Sequence, residues 1–92
     1  MLSVLGEAEA VVYGERAAVY GHPKDNFLRI AALWNGWLTA RGIAYAFTPE
    51  DTADLLILVK LARLMATPDH RDSMVDIAGY AGARARATGV DA

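Results

Sequence analysis

Ninety-two residues, 54% hydrophobic and 22% charged, describe one globular domain with little room for a second core, and exclude a disordered chain. A net charge of −2 excludes a protein that wraps DNA or RNA, which needs a basic surface; a small phosphorylated ligand needs only a few local cations and stays open. The absence of cysteine removes disulfides and thiolate metal sites.

The opening "MLSVLGEAEAVV" lacks a positive n-region and carries acids, so no signal peptide is expected and the chain is expected in the cytoplasm. A first helix is predicted over residues 3 to 13, with Ser3 as N-cap, Gly14 as stop, and Val4, Ala8, Val11 and Val12 along one face. A short piece, "ERAAVY", follows and ends at Gly21. In "YGHPKDNF", His22 and Pro23 lead into a helix whose free N–H groups, with Lys24, offer an anion site. Tyr20 could stack on a base there and Asn26 could contact one; an exposed tyrosine beside a capping region accounts for the same letters.

The second helix is predicted over residues 23 to 41 and closes at Gly42, with Phe27, Trp34 and Trp37 assigned to the core. The segment around "IAYAF" is too brief to found a sheet. "TPED" opens a third helix, residues 49 to 66, with Thr48 as cap, Pro49 at the first position and Asp51 three residues after the cap. Being apolar nearly all round, it is expected to be central and buried. Its run "ADLLILVKLARLMA" is too short and too charged to span a bilayer, which takes about 20 apolar residues. A second "TPD" starts the fourth helix, residues 70 to 87, with Asp69 as the expected cap. Gly79, Gly82 and many alanines in it imply a close neighbour. The predicted fold is all-α, a compact four-helix bundle in one domain, residues 1 to 92.

Charges of both signs interrupt this apolar pattern. Lys60 and Arg63 share a stripe of the third helix with Leu56, Ile57 and Leu64 around them, and ionised groups among such neighbours lose several kcal/mol of hydration unless paired. Asp72 and Asp76 stand at i and i+4 of the fourth helix, with Gly79 and Tyr80 on the same stripe. A Lys60–Asp76 ion pair with Arg63 snorkelling to water is one explanation; a phosphate or Mg²⁺ site is the other. Asp72 fits a capping acid as well as a metal ligand. Asp51 and Asp54 read as acids complementing the helix dipole. His22 and His70, both at helix starts, complete the candidate ligand-binding set with Arg71; without a third His or Cys, zinc is not expected.

Three segments, "ERAAVYGHPKDNFLRIAALW", "TPEDTADLLILVKLARL" and "HRDSMVDIAGYA", in that order over about residues 15 to 83, resemble a family of small actinobacteriophage and bacteriophage proteins of uncharacterised function. That family in turn is similar to the MazG-like all-α nucleotide pyrophosphatases. The resemblance implies helical modules assembled as dimers or larger homo-oligomers, Mg²⁺ held by acidic pairs on two helices, and cleavage of nucleoside triphosphates. Asp72 and Asp76 would match the second acidic helix and Lys60 with Arg63 the phosphate-facing cations. The family's first acidic helix carries an E-x-x-E pair, where this sequence has Asp25, Asn26 and Arg29.

The expected function is therefore binding of a small phosphorylated nucleotide. Lys24, Lys60, Arg63 and Arg71 would hold phosphate, Tyr20, Asn26 and Tyr80 the base or ribose, and Asp72 and Asp76 a cation. For a phage this could be a sponge for a host immune signal; a Mg²⁺-dependent pyrophosphohydrolase and a structural or partner-binding bundle are the alternatives. A dimer or larger homo-oligomer is expected, with no membrane and no nucleic-acid polymer as partner.

Overall fold

A computed structural model describes the backbone of residues 1–92 and every side chain outside 15–17. Five helices, not four, make up the chain: α1 (Val4–Tyr13), α2 (Glu15–Tyr20), α3 (Pro23–Ala40), α4 (Pro49–Ala66) and α5 (Arg71–Thr88). The fifth is the short "ERAAVY" piece. Gly14, extended at φ −89°, ends α1 and serves as N-cap of α2, so two helices meet at one residue. Gly21, at φ 75°, supplies the left-handed turn that carries the chain into α3, and no strand occurs among the described residues.

Local capping chemistry sets most of the boundaries. The Ser3 hydroxyl accepts the Gly6 N–H. Thr48 and Asp51 form a reciprocal capping box, and Pro49 occupies the first turn. At α5 the cap is His70, one residue beyond the expected Asp69; its Nδ1 accepts the Ser73 N–H and lies 2.7 Å from the Ser73 hydroxyl. His22 does the same work for α3, accepting the Lys24 N–H.

The connection from α3 to α4, residues 41–48, doubles back along α3. Asn35 grips it with two hydrogen bonds, its Oδ1 accepting the Phe47 N–H at 2.7 Å and its amide donating to the Phe47 carbonyl at 3.0 Å. Phe47 sits edge-on against both Trp34 and Tyr45. Thr52, fully buried, donates to the Phe27 carbonyl, so the first turn of α4 lies beside the first turns of α3. The Tyr45 hydroxyl also donates to Asp51.

This network predicts a pH effect. The Thr48 backbone N–H, foremost, holds the Asp51 carboxyl below its ordinary value of 3.8, with the Tyr45 hydroxyl and Arg84 adding to it. A depressed folded-state pKa contributes stability that is present above 3.8 and is lost as pH falls below it toward the folded value. Asp51→Asn should therefore flatten the acid limb of stability against pH, read by urea unfolding at neutral pH and again near pH ~3. An acid limb unchanged by the substitution would show that Asp51 titrates alike folded and unfolded. The same carboxylate raises the Tyr45 pKa, so the hydroxyl's contribution is lost only at alkaline pH.

α4 and α5 lie antiparallel: Asp54 pairs with Arg84 at 3.0 Å, and two turns along Lys60 pairs with Asp76 at 2.9 Å. α1 lies along α5 with its start beside Arg71 and its end beside Gly82 and Arg86. The close approach expected at the small residues of α5 occurs at Gly82, where a Cβ would stand 3.2 Å from Val12 Cγ2. At Gly79 it does not occur; a Cβ there would meet nothing within 4 Å.

The core is small: Ala8, Val12, Phe27, Ala31, Leu38, Ala53 and Val75 are its buried apolar residues. Three sequence expectations fail here. Trp37 is 61% exposed, outside the core, while Trp34 is half-buried. α4 is not enclosed: Leu58, Val59, Leu61 and Met65 face outward. Nor is the chain a compact bundle, since its radius of gyration, 14.2 Å, exceeds the ~12 Å usual at this length.

Candidate ligand groove

The stripe on α5 that carries Asp76, Gly79, Tyr80 and Ala83 has i, i+3, i+4, i+7 spacing, so one face of the helix presents all four. Facing it are Val11 and Val12 from α1, Tyr20 and Gly21 at the end of α2, and Asn26 and Phe27 from the start of α3. Between them lies a groove of about 510 Å³. Its floor is apolar, formed by Val12, Phe27 and Val75, and is open at Gly79 because that residue has no side chain to fill it. Its polar groups are Tyr20, Asn26, Asp76, Tyr80 and Arg86.

Of the residues singled out from sequence, Tyr20, Asn26, Asp76 and Tyr80 gather on this one groove. Lys60 is committed to Asp76 at 2.9 Å; its side chain is only 19% exposed, against 41% for that of Asp76, which lines the opening. The others do not join them. Arg71 is drawn to α1, where it pairs with Glu7 and donates to the Leu2 carbonyl. Arg63 and Lys24 are exposed, and Arg63 lies in the last turn of α4, where a cation complements the carbonyl end of the helix. His22 and His70 spend their Nδ1 atoms on capping, so the anion site foreseen before α3 loses its first free N–H to His22 itself. Asp72 is exposed, and α5 takes its cap from His70 instead. Among the described residues no three His, Cys, Asp or Glu side chains converge as a metal site would require.

Two groove residues were not marked from sequence as ligand contacts. Gly79 reads as a packing glycine, and Arg86 as one of a run of small and basic letters. Arg86 donates to the Val12 carbonyl at 3.0 Å and to the Ala92 carbonyl, and its guanidinium lies over Tyr13, which holds a cation at the groove's α1 wall.

The exposure asymmetry of the Lys60–Asp76 pair sets an expectation. Asp76→Ala leaves the charge of the more buried side chain without its partner and should cost about 1–2 kcal/mol, whereas Lys60→Met leaves a carboxylate on the more exposed one and should fall within about 1 kcal/mol of the parent. Chemical denaturation of both variants checks this; equal costs would contradict it.

A family model described as Domain of unknown function (DUF6378) matches residues 3–88. The chain belongs to this family. Among curated proteins it is similar to the Gene 55 protein of Mycobacterium phage L5, 49% identical over 81 residues, which cover 88% of this chain and 49% of that one. The Gene 55 protein of Mycobacterium phage D29 is 46% identical over 80 residues, 87% of this chain and 50% of that one. The chain thus spans about half the length of the curated relatives it matches. No solved structure matches significantly. None of these names states an activity, and none is that of a MazG-type enzyme. Among the described residues no helix is long and apolar enough to cross a membrane.

Proposed function

We propose that the groove holds a nucleotide through its base and ribose, and that the protein binds this ligand without turning it over. The observation that carries the proposal is the gathering of Tyr20, Asn26, Asp76 and Tyr80, from three separate parts of the chain, on one opening of about 510 Å³. That volume lies within the ~300–1,000 Å³ usual for small-molecule sites, and a mostly apolar lining with a few polar groups is their usual chemistry. Tyrosine rings offer stacking surfaces, the Asn26 amide can both donate and accept, and the free side of the Asp76 carboxylate can accept from hydroxyls. Arg86 is the cation on the wall. With Lys60 and Arg71 already paired, the balance favours recognition of the base and ribose over capture of a polyphosphate.

In a phage, binding without turnover would sequester a nucleotide, and a host immune signal is the fitting cargo; that extension rests on the mycobacteriophage relatives. The alternative, a Mg²⁺-dependent MazG-like pyrophosphohydrolase, would draw on Asp72 and Asp76, and has against it the Lys60 pair and the missing E-x-x-E. A structural bundle is favoured by one observation, the three interhelical ion pairs that need no ligand.

One incubation separates the three. With a panel of nucleotides and Mg²⁺, a rise in melting temperature with the nucleotide recovered intact supports binding. Release of pyrophosphate supports the enzyme. No shift and no product across the panel supports the structural protein.

A further inference from the structure

The outward side of α4 is the least explained surface of the molecule. From Leu55 to Ala66 it carries two charges: Lys60 is turned to Asp76 on α5, and Arg63 is exposed at the border of the apolar positions. The outward positions are Leu58, Val59, Leu61, Ala62 and Met65, all exposed, and Met65 is 85% so. Beside them runs a second groove, of about 570 Å³, walled by Trp34 and Trp37 of α3, Phe47, and Leu55, Leu58 and Val59 of α4. It is large enough for one or more inserted apolar side chains.

We propose that this face is the contact surface for a second copy of the chain, with α4 packed on α4 across a two-fold axis. Area argues for a stable partner. The accessible surface is 6187 Å², against ~5,200 Å² for a folded monomer of 9.9 kDa, an excess of about 1,000 Å². A standard interface covers about 800 Å² on each side. The long radius of gyration agrees, since a chain that completes its core in an assembly is less rounded alone. Chemistry selects the partner. In a two-fold contact each patch must match itself, and Leu58, Val59, Leu61, Ala62 and Met65 carry no charge to set against its copy; the cations Arg41, over Trp37, and Arg63 border them. The protruding Leu58 and Met65 also suit the partner's Trp34–Trp37 groove. This inference is independent of the α5 groove and its ligand.

The absence of cysteine makes the test direct. The 92-residue chain should sediment at twice 9.9 kDa at micromolar concentration. Leu58→Glu with Met65→Glu should weaken the association at least about 100-fold and leave the helical circular dichroism intact, because both side chains are exposed in the single chain. Ala62→Cys, a small change in the middle of the face, should be joined to its copy by a flexible bis-maleimide, while Ala81→Cys, exposed on α5, should not. A monomer at every concentration would overturn the proposal and leave the face to a different partner. So would an assembly cross-linked through Cys at 81 and not at 62, even if the glutamate variant fails to fold.

Discussion

Gly79→Leu should abolish ligand binding in the α5 groove while leaving the fold at least as stable. Gly79 is buried and lines the groove, yet a Cβ built on it meets nothing within 4 Å, so a larger side chain enters the open space and not a neighbour. Helix propensity works in the same direction, since an interior glycine costs about 1 kcal/mol relative to alanine. Affinity for any nucleotide that raises the parent's melting temperature should fall at least about 100-fold, ~2.8 kcal/mol, by calorimetric titration. The control sits one turn further along the same helix. At Gly82 a Cβ stands 3.2 Å from Val12, so Gly82→Leu should lose about 1–3 kcal/mol of stability by overpacking α1 against α5. Unchanged affinity in Gly79→Leu would place the ligand elsewhere.

The largest stability loss is expected at Phe27→Ala, about 3–5 kcal/mol. Phe27 is 3% exposed and is the one aromatic ring in a core otherwise made of alanine, valine and leucine. It also stands where α3 meets the first turn of α4, with Thr52 donating to its carbonyl. A chain of this length holds on the order of 5–14 kcal/mol in total, so such a loss removes a large share of it. Urea unfolding at one fixed protein concentration, needed if the chain associates, reads the difference. A loss under about 1 kcal/mol would mean that the ring is not the keystone of the core.

Much of the helical plan was legible because helix ends are written locally. Ser3, and Thr48 with Asp51, satisfy N–H groups within three residues of themselves, Pro49 brings none that needs a partner, and short-range chemistry can be read from a string. At α5 that logic missed by one residue: Asp69 and His70 both offer an acceptor, and only the chain's path shows which nitrogen or oxygen meets Ser73. The Lys60–Asp76 pair could be named in advance as one of two explanations, since an ammonium deep in an apolar helix calls for a counter-charge. Arg71 could not be placed, because its partner Glu7 is 64 residues away.

The buried-helix expectation for α4 failed for a different reason. Hydropathy reports that Leu58, Leu61 and Met65 want to leave water, not whose atoms will cover them. In the single chain Leu58 stays 56%, Leu61 43% and Met65 85% exposed. The groove was half legible: Tyr20, Asn26, Asp76 and Tyr80 were chosen for their chemistry, but Gly79 and Arg86 matter by position. Emptiness at a glycine has no letter of its own.

The most direct test of the groove as a binding site is an amide-resolved NMR titration of the 92-residue chain with a nucleotide that raises its melting temperature. The backbone signals of Asn26, Gly79, Tyr80 and Arg86 are expected to move together along one saturating curve, with those of Arg63 and Asp72 still. Movement confined to the outward face of α4, or shifts scattered without saturation, would contradict a nucleotide site in the α5 groove.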